Sequence, residues 1–348
     1  MEINNIIDPN RVFIVAELSA NHGGDIKIAI DSIKAAKKAG ANAIKLQTYT
    51  PNTMTIDSNK KDFIVSGGSI WDGKSFFDLY KQAYTPWEWH PELFKVAREE
   101  GIECFSTPFD KKAVDKLEEL NNPIYKIASF EITDIPLIKY TASKGKPMIL
   151  STGIATNEDI KLALETIRAE GNNQIALLKC TSSYPAPINE ANLIMIQDFK
   201  SKFNVIPGLS DHTMGNISAI VATSLGAKII EKHFILDKSI GGPDASFSLD
   251  AKEFSKMVHA VRESESAIGK INYNLTNKQK SGRMFSRSLY VVKDVKIGDI
   301  ITEENIRSIR PGFGAHPKHM NKILGKKFKS NFKIGDRFTE KNVKDYLK

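Results

Sequence analysis

A chain of 348 residues with 41% hydrophobic and 26% charged side chains has the make-up of a folded protein of roughly two domains, which excludes a disordered or fibrous chain. Its net charge of +8 comes from 49 Lys and Arg against 41 Asp and Glu, with the signs interspersed except beyond residue 315, where ten basic residues meet three acidic ones. No aromatic-interleaved basic stripe, membrane-length apolar run or signal-peptide pattern accompanies this, so the expectation is a cytoplasmic protein with neither nucleic acid nor membrane as partner.

Short apolar, β-branched runs at residues 12–16, 43–46, 102–105, 124–127, 148–150, 175–178, 205–209 and 228–230 predict eight strands. Helical spacing of apolar residues at 26–39, 91–100, 157–169 and 251–268 predicts helices between and after them. No G-x-G-x-x-G opens the first crossover. The alternation therefore predicts an α/β (β/α)8 TIM barrel over residues 1–268 rather than a doubly wound sheet. Cys104 and Cys180 lie inside apolar runs and read as buried thiols in a reducing compartment. A long insertion after the second strand, residues 66–90, carries all three tryptophans, Trp71, Trp87 and Trp89. Either they pack the loop and the following helix, or part of this aromatic surface faces a ligand at the barrel mouth.

Residues 269–283 read as a polar linker, and 284–348 as a small β-rich domain with an internal repeat. Residues 295–306 match 332–343 at seven of twelve positions. Each copy predicts a turn at Lys-Ile-Gly-Asp, then a threonine N-cap opening a helix with an acidic first turn.

Nearly every strand run ends in polar side chains: Glu17; Lys45 and Gln47; Ser106 and Thr107; Lys126 and Ser129; Ser151 and Thr152; Thr181; Ser210 and His212; Glu231 and His233. Barrel active sites sit on that C-terminal rim, and residues two apart share a strand face. His212 and His233, beside Ser210, Asp211 and Glu231, read as ligands of a divalent metal, Mn²⁺ or Mg²⁺, with open positions for oxygen donors. Lys45 and Lys126, with Ser129, Ser151, Ser182 and Ser210, suit a phosphate or carboxylate cage. A Schiff-base lysine of an aldolase is the competing role. Glu17, Glu131 and Asp244 are candidate acids or bases.

Glu17-Leu-Ser-Ala-Asn-His-Gly-Gly24, Lys45-Leu-Gln-Thr48, Ser106-Thr-Pro-Phe109, Tyr125-Lys-Ile-Ala-Ser129, Ser151-Thr-Gly153, Thr181-Ser-Ser-Tyr-Pro185, Gly208-Leu-Ser-Asp-His212 and Glu231-Lys-His-Phe234 resemble the sialic acid synthase family. The end, from Arg287-Ser-Leu-Tyr290 to Arg310-Pro-Gly-Phe-Gly314, resembles the antifreeze-like (SAF) domain attached to those enzymes. The resemblance implies condensation of phosphoenolpyruvate with the open-chain aldehyde of an N-acetylated amino sugar, phosphate leaving by C–O cleavage. It implies Lys45, Lys126, Ser151 and Ser210 as phosphoenolpyruvate ligands with Ser129 and Ser182 close by, and His212 and His233 as metal ligands. Glu17, Gln47, Thr107, Glu131, Tyr184, Glu231 and Asp244 would surround the reacting sugar and water. Arg310 would reach a partner subunit's barrel in a domain-swapped homodimer. Gly23, Leu46 and Ser182 depart from the N-acetylneuraminate branch of that family. The insertion, with residues 19–22 and 46–51, is most similar to the branch that takes 2,4-diacetamido-2,4,6-trideoxy-L-altrose to pseudaminic acid. A Schiff-base aldolase and a non-catalytic binding protein are the readings from other classes.

Overall fold

The computed structural model describes residues 3–8, 10–68 and 70–347, which leaves Ser69 of the insertion outside. The chain divides into two compact units, Met1–Gly269 and Lys270–Lys348.

In the first unit β1 (Phe13–Glu17), β2 (Ala43–Thr48), β3 (Glu103–Pro108), β4 (Tyr125–Ile127), β5 (Met148–Ser151), β6 (Ile175–Cys180), β7 (Ile206–Asp211) and β8 (Ile229–His233) pair in parallel and close into a barrel. All eight predicted strands are present. Most run past the apolar stretch into the polar residues beyond it, so Gln47, Thr107 and His233 are strand residues held by the ladder. The enclosing helices are α1 (Ile26–Lys38), α2 (His90–Glu100), α3 (Lys111–Glu119), α4 (Ile135–Ala142), α5 (Asn157–Ala169), α6 (Met195–Phe203), α7 (Ile217–Ser224) and α8 (Ala251–Ile268). Asp25, Asp110, Asp134, Thr156 and Asp250 start five of them by accepting a backbone N–H, which satisfies a donor the helix cannot.

Strand alternation sorts the barrel wall. Ile14, Ala16, Ile44, Leu46, Ile127, Leu150 and Leu177 face outward into the helix layer. Phe13, Val15, Ala43, Phe105, Ile149, Ala176, Leu178 and Ile229 fill the inside, with Ile3 and Ile7 beneath them. Continuing each inward row by two residues reaches Glu17, Lys45, Thr107, Ser151 and Glu231. The apolar plug thus ends where the polar rim begins, and these rim side chains are buried.

The second unit pairs β9 (Ser288–Val291) antiparallel to β10 (Ile306–Ile309) around buried Leu289, Val291, Ile301, Phe328 and Phe338. The repeat is visible in the backbone. Val295 and Phe332 exchange N–H···O bonds of 3.0 Å each, and Lys296 and Lys333 each donate at 2.7 Å to the Asp three residues on, Asp299 and Asp336. Thr302 and Thr339 likewise each donate through the backbone N–H to Asn305 and Asn342. The copies then diverge, against expectation. Only the second opens a helix, α9 (Glu340–Leu347), whereas the first leads into β10. Val343 and Tyr346 bury one helical stripe; Ile306-Arg-Ser-Ile309 instead alternates and pairs with β9. The predicted linker is exposed but holds a short helix, Asn277–Gly282, and a 3-10 turn, Arg283–Phe285. Among the described residues no helix is long and apolar enough to cross a membrane.

Candidate active site at the barrel rim

Two lysines and two glutamates form the centre. Lys45 Nζ lies 2.5 Å from Glu17 Oε2 and 3.8 Å from Glu231 Oε2, and donates to Thr107 Oγ1 at 3.2 Å. Lys126 Nζ donates to Glu231 Oε1 at 3.0 Å, as does Ser210 Oγ, and Gln47 Nε2 donates to Glu17 Oε1 at 3.2 Å. All four charged groups are buried. Burial disfavours the Glu231 charge, yet Lys126 and Lys45 outweigh it and hold the carboxyl down to about 2. Burial pushes Glu17 up to about 7 against Lys45, with the Glu231 charge adding to the rise. Burial opposes the Lys45 ammonium, but Glu17 and Glu231 raise it above the ordinary lysine value; for Lys126 burial prevails and the shift is downward.

Beside this cluster is a cradle of hydroxyls. Gly153 N donates to Ser129 Oγ at 3.0 Å, and the buried Ser151 and Ser182 hydroxyls have no hydrogen-bond partner. A Cβ on Gly153 would lie 1.9 Å from Ser182 Oγ and 2.7 Å from Ser129 Oγ. Unfilled hydroxyls beside two ammonium groups suit a phosphate or carboxylate.

Across the rim, the His212 and His233 ring centroids are 5.3 Å apart. His212 Nδ1 is 3.0 Å from Thr181 O, which assigns the proton to Nδ1 and leaves Nε2 a lone pair. His233 Nδ1 is buried without a hydrogen-bond partner, 3.8 Å from Asp244 Oδ2. Among the described residues no three His, Cys, Asp or Glu side chains are arranged to hold a metal. Two imidazoles with an orphaned ring nitrogen fit a divalent cation whose other positions take water or substrate oxygens. Tyr184 packs on His212 (4.4 Å), Phe247 on His233 (5.0 Å), and Trp71 on Tyr184 (5.4 Å), giving the imidazoles an aromatic wall. Glu131 ends the 3-10 turn Ser129–Glu131; its Oε2 is buried without a partner, and burial pushes its carboxyl up to about 7.

Several sequence expectations are corrected. Ser106 faces the outer layer, where its hydroxyl is 2.6 Å from Thr48 Oγ1 in a network with His90. Thr152 spends its hydroxyl on Leu178 O. Asp211 reaches His212 only through its charge: it faces outward and pairs at 2.7 Å with fully buried Lys232, which also donates to Thr213 O. Two of the three tryptophans are structural. Trp87 Nε1 donates to Tyr49 O, and Trp89 packs edge-on against His22. Only Trp71 joins the rim. Arg310 lies in the second unit, exposed directly after β10. Gly153, Phe247 and Ser19 are site residues that sequence reasoning missed. Gly153 and Ser19 belong to recognisable motifs at strand ends, whereas Phe247 carries no local signal.

The NeuB family profile matches residues 32–273, and the SAF domain profile residues 286–344. The chain is 49% identical over 344 residues to a pseudaminic acid synthase of Campylobacter jejuni, covering 99% of this chain and 100% of that one. It is 48% identical over 315 residues to the pseudaminic acid synthase of Helicobacter pylori, covering 90% and 92%. An N-acetylneuraminic acid (sialic acid) synthetase from Leptospira borgpetersenii, solved with citrate, superposes with a TM-score of 0.70 at 32% identity over 79% of this chain and 90% of that one. By sequence match and by fold, the chain belongs to the NeuB family and carries a SAF domain.

Proposed function

We propose that this chain condenses phosphoenolpyruvate with 2,4-diacetamido-2,4,6-trideoxy-L-altrose to give pseudaminic acid and phosphate. The observation that carries the reading is the buried pair Lys45 and Lys126 beside the Gly153–Ser129–Ser151–Ser182 cradle, facing two imidazoles. Lys45, ion-paired to Glu17 and held above the ordinary lysine value, is a fixed cation, which favours anion binding over the free amine an imine-forming aldolase needs. The reaction forms a C–C bond between C3 of phosphoenolpyruvate and the aldehyde carbon, whose oxygen takes up a proton. Water adds at C2 and gives up one proton; the C2–O(phosphate) bond then breaks with its electron pair leaving on phosphate as the new C2 hydroxyl gives up the second proton and becomes the ketone.

The lysines and hydroxyls would hold the phosphate and carboxylate of phosphoenolpyruvate in place. Glu131, with a carboxyl near 7, suits giving a proton to the new hydroxyl or taking one from water. A divalent cation on His212 and His233, Mn²⁺ or Mg²⁺, would polarise the aldehyde oxygen when bound.

The sugar assignment rests on the 49% identity to a pseudaminic acid synthase along the whole chain and on the aromatic wall of Trp71, Tyr184 and Phe247. An apolar wall accepts a C6 methyl, whereas a site built to bind a hydroxyl rejects its absence strongly. The acting unit in this reading is a cytoplasmic homodimer in which Arg310 serves a second copy's barrel. Phosphate release with this sugar, its legionaminic-pathway stereoisomer and N-acetylmannosamine, at saturating phosphoenolpyruvate, tests the assignment. Highest kcat/KM for the altrose derivative supports it. A higher value for N-acetylmannosamine would overturn the sugar while leaving the synthase chemistry standing.

A further inference from the structure

Among the described residues four that are not glycine have a left-handed backbone: Asn121, Asn192, Asn204 and Ser19. Asparagine tolerates that region, and serine does so poorly. Ser19, with φ of 46°, is buried two residues beyond the end of β1. A glycine would take the same backbone without strain, so what serine adds there is its hydroxyl.

That hydroxyl donates to Asp244 Oδ2 at 2.5 Å, and Ala20 N approaches the same oxygen at 3.5 Å. Asn21 Nδ2 donates to Phe234 O and Ser248 Oγ, and Ser248 Oγ donates to Asp244 O at 2.6 Å. Three consecutive residues after β1 therefore fix both the carboxylate and the backbone of Asp244, on the segment after β8. With Oδ2 taken, Oδ1 has no hydrogen bond to any described residue, and the group stands beside His233.

We propose that Ser19 is a positioning residue for the sugar: it holds Asp244 with Oδ1 free to accept a sugar hydroxyl. This rests on the reading of the site as an amino-sugar synthase. A misoriented carboxylate would cost sugar recognition and leave phosphoenolpyruvate recognition intact, because the Ser19 hydroxyl bonds to Asp244 and not to the Lys45–Lys126 cluster or the hydroxyl cradle.

The test separates hydroxyl from backbone. Ser19→Gly removes the hydroxyl and relieves the backbone; Ser19→Ala removes the hydroxyl and keeps the strain. Both variants should raise KM for 2,4-diacetamido-2,4,6-trideoxy-L-altrose and lower its kcat/KM about tenfold, in keeping with a lost hydrogen bond to a charged group. Calorimetric affinity for phosphoenolpyruvate should not change. The glycine variant should melt at or above the unaltered protein, and the alanine variant below the glycine one. Unchanged sugar kinetics in Ser19→Gly would refute the proposal, as would equal losses of sugar and phosphoenolpyruvate affinity. If the unaltered chain turns over none of the three sugars, the reading of the site falls and this inference with it.

Discussion

Replacing Glu131 by glutamine should stabilise the protein in a pH-dependent way while disabling it. The Glu131 carboxyl has an ordinary value of 4.5 and is pushed up to about 7 in the folded chain, first by burial and despite the nearby Lys126 charge. At 1.36 kcal/mol per pKa unit, that rise corresponds to a ceiling of about 3 kcal/mol. The folded state binds the proton more tightly than the unfolded one. Relative stability from this group is therefore fully present below pH 4.5 and is lost as the pH climbs through about 7. Above that, the fold carries a carboxylate whose buried Oε2 has no hydrogen-bond partner. Glutamine is neutral at every pH. Urea midpoints of Glu131→Gln and the unaltered protein should coincide near pH 4.5 and separate by pH 8.5 in the variant's favour. Phosphate release at pH 8 should fall at least about 100-fold if Glu131 moves the proton. A stability difference of the same size at both pH values, or a less stable variant at pH 8.5, would refute the burial argument.

Gly153→Ala places a methyl where Ser182 Oγ and Ser129 Oγ stand, so calorimetric binding of phosphoenolpyruvate should be lost while the helical circular dichroism is kept. Unimpaired binding would move the anion site elsewhere. Chelator should abolish turnover and Mn²⁺ or Mg²⁺ restore it, and His212→Ala or His233→Ala should reduce it sharply; full activity in excess chelator would discard the metal. Mixing inactive Arg310→Ala chains with inactive His233→Ala chains should regenerate complete sites. Demonstrated mixed dimers without activity would remove Arg310 from the partner's site.

The barrel was legible because each strand core is a short β-branched run and each capped helix an amphipathic one, both local patterns. Strand ends were under-read for a physical reason: the ladder carries residues such as Thr107 and His233 whose polarity looks like a loop. Which polar residue points inward depends on register. Ser106 and Asp211 looked equivalent to Thr107 and Ser210, yet pleating sends them to the opposite face. The tryptophans split because position in a folded insertion, not residue type, decides which one reaches the rim. Ser19 and Asp244 are 225 residues apart, so only barrel closure joins them. The repeat shows the opposite limit. Two nearly identical turn sequences have the same backbone hydrogen bonds, and the packing of the next few residues chooses strand for one copy and helix for the other.

Asp211 and Lys232 stand one residue beyond Ser210 on β7 and Glu231 on β8, in the same register but on the other face. The β7–β8 ladder therefore holds two polar cross-strand pairs at adjacent levels, Ser210–Glu231 inside and Asp211–Lys232 outside. Together they act as a parity check. A slip of one strand by a single residue would reverse its faces, bringing Lys232 against Lys45 and Lys126 and leaving Glu231 in the wall between strands and helices. Each stranded charge would lose a buried partner, at about 3–5 kcal/mol per broken pair. Misaligned β7–β8 pairing is thereby removed from the accessible alternatives, and a pair outside the rim sets the spacing at which Ser210 and Glu231 converge inside it.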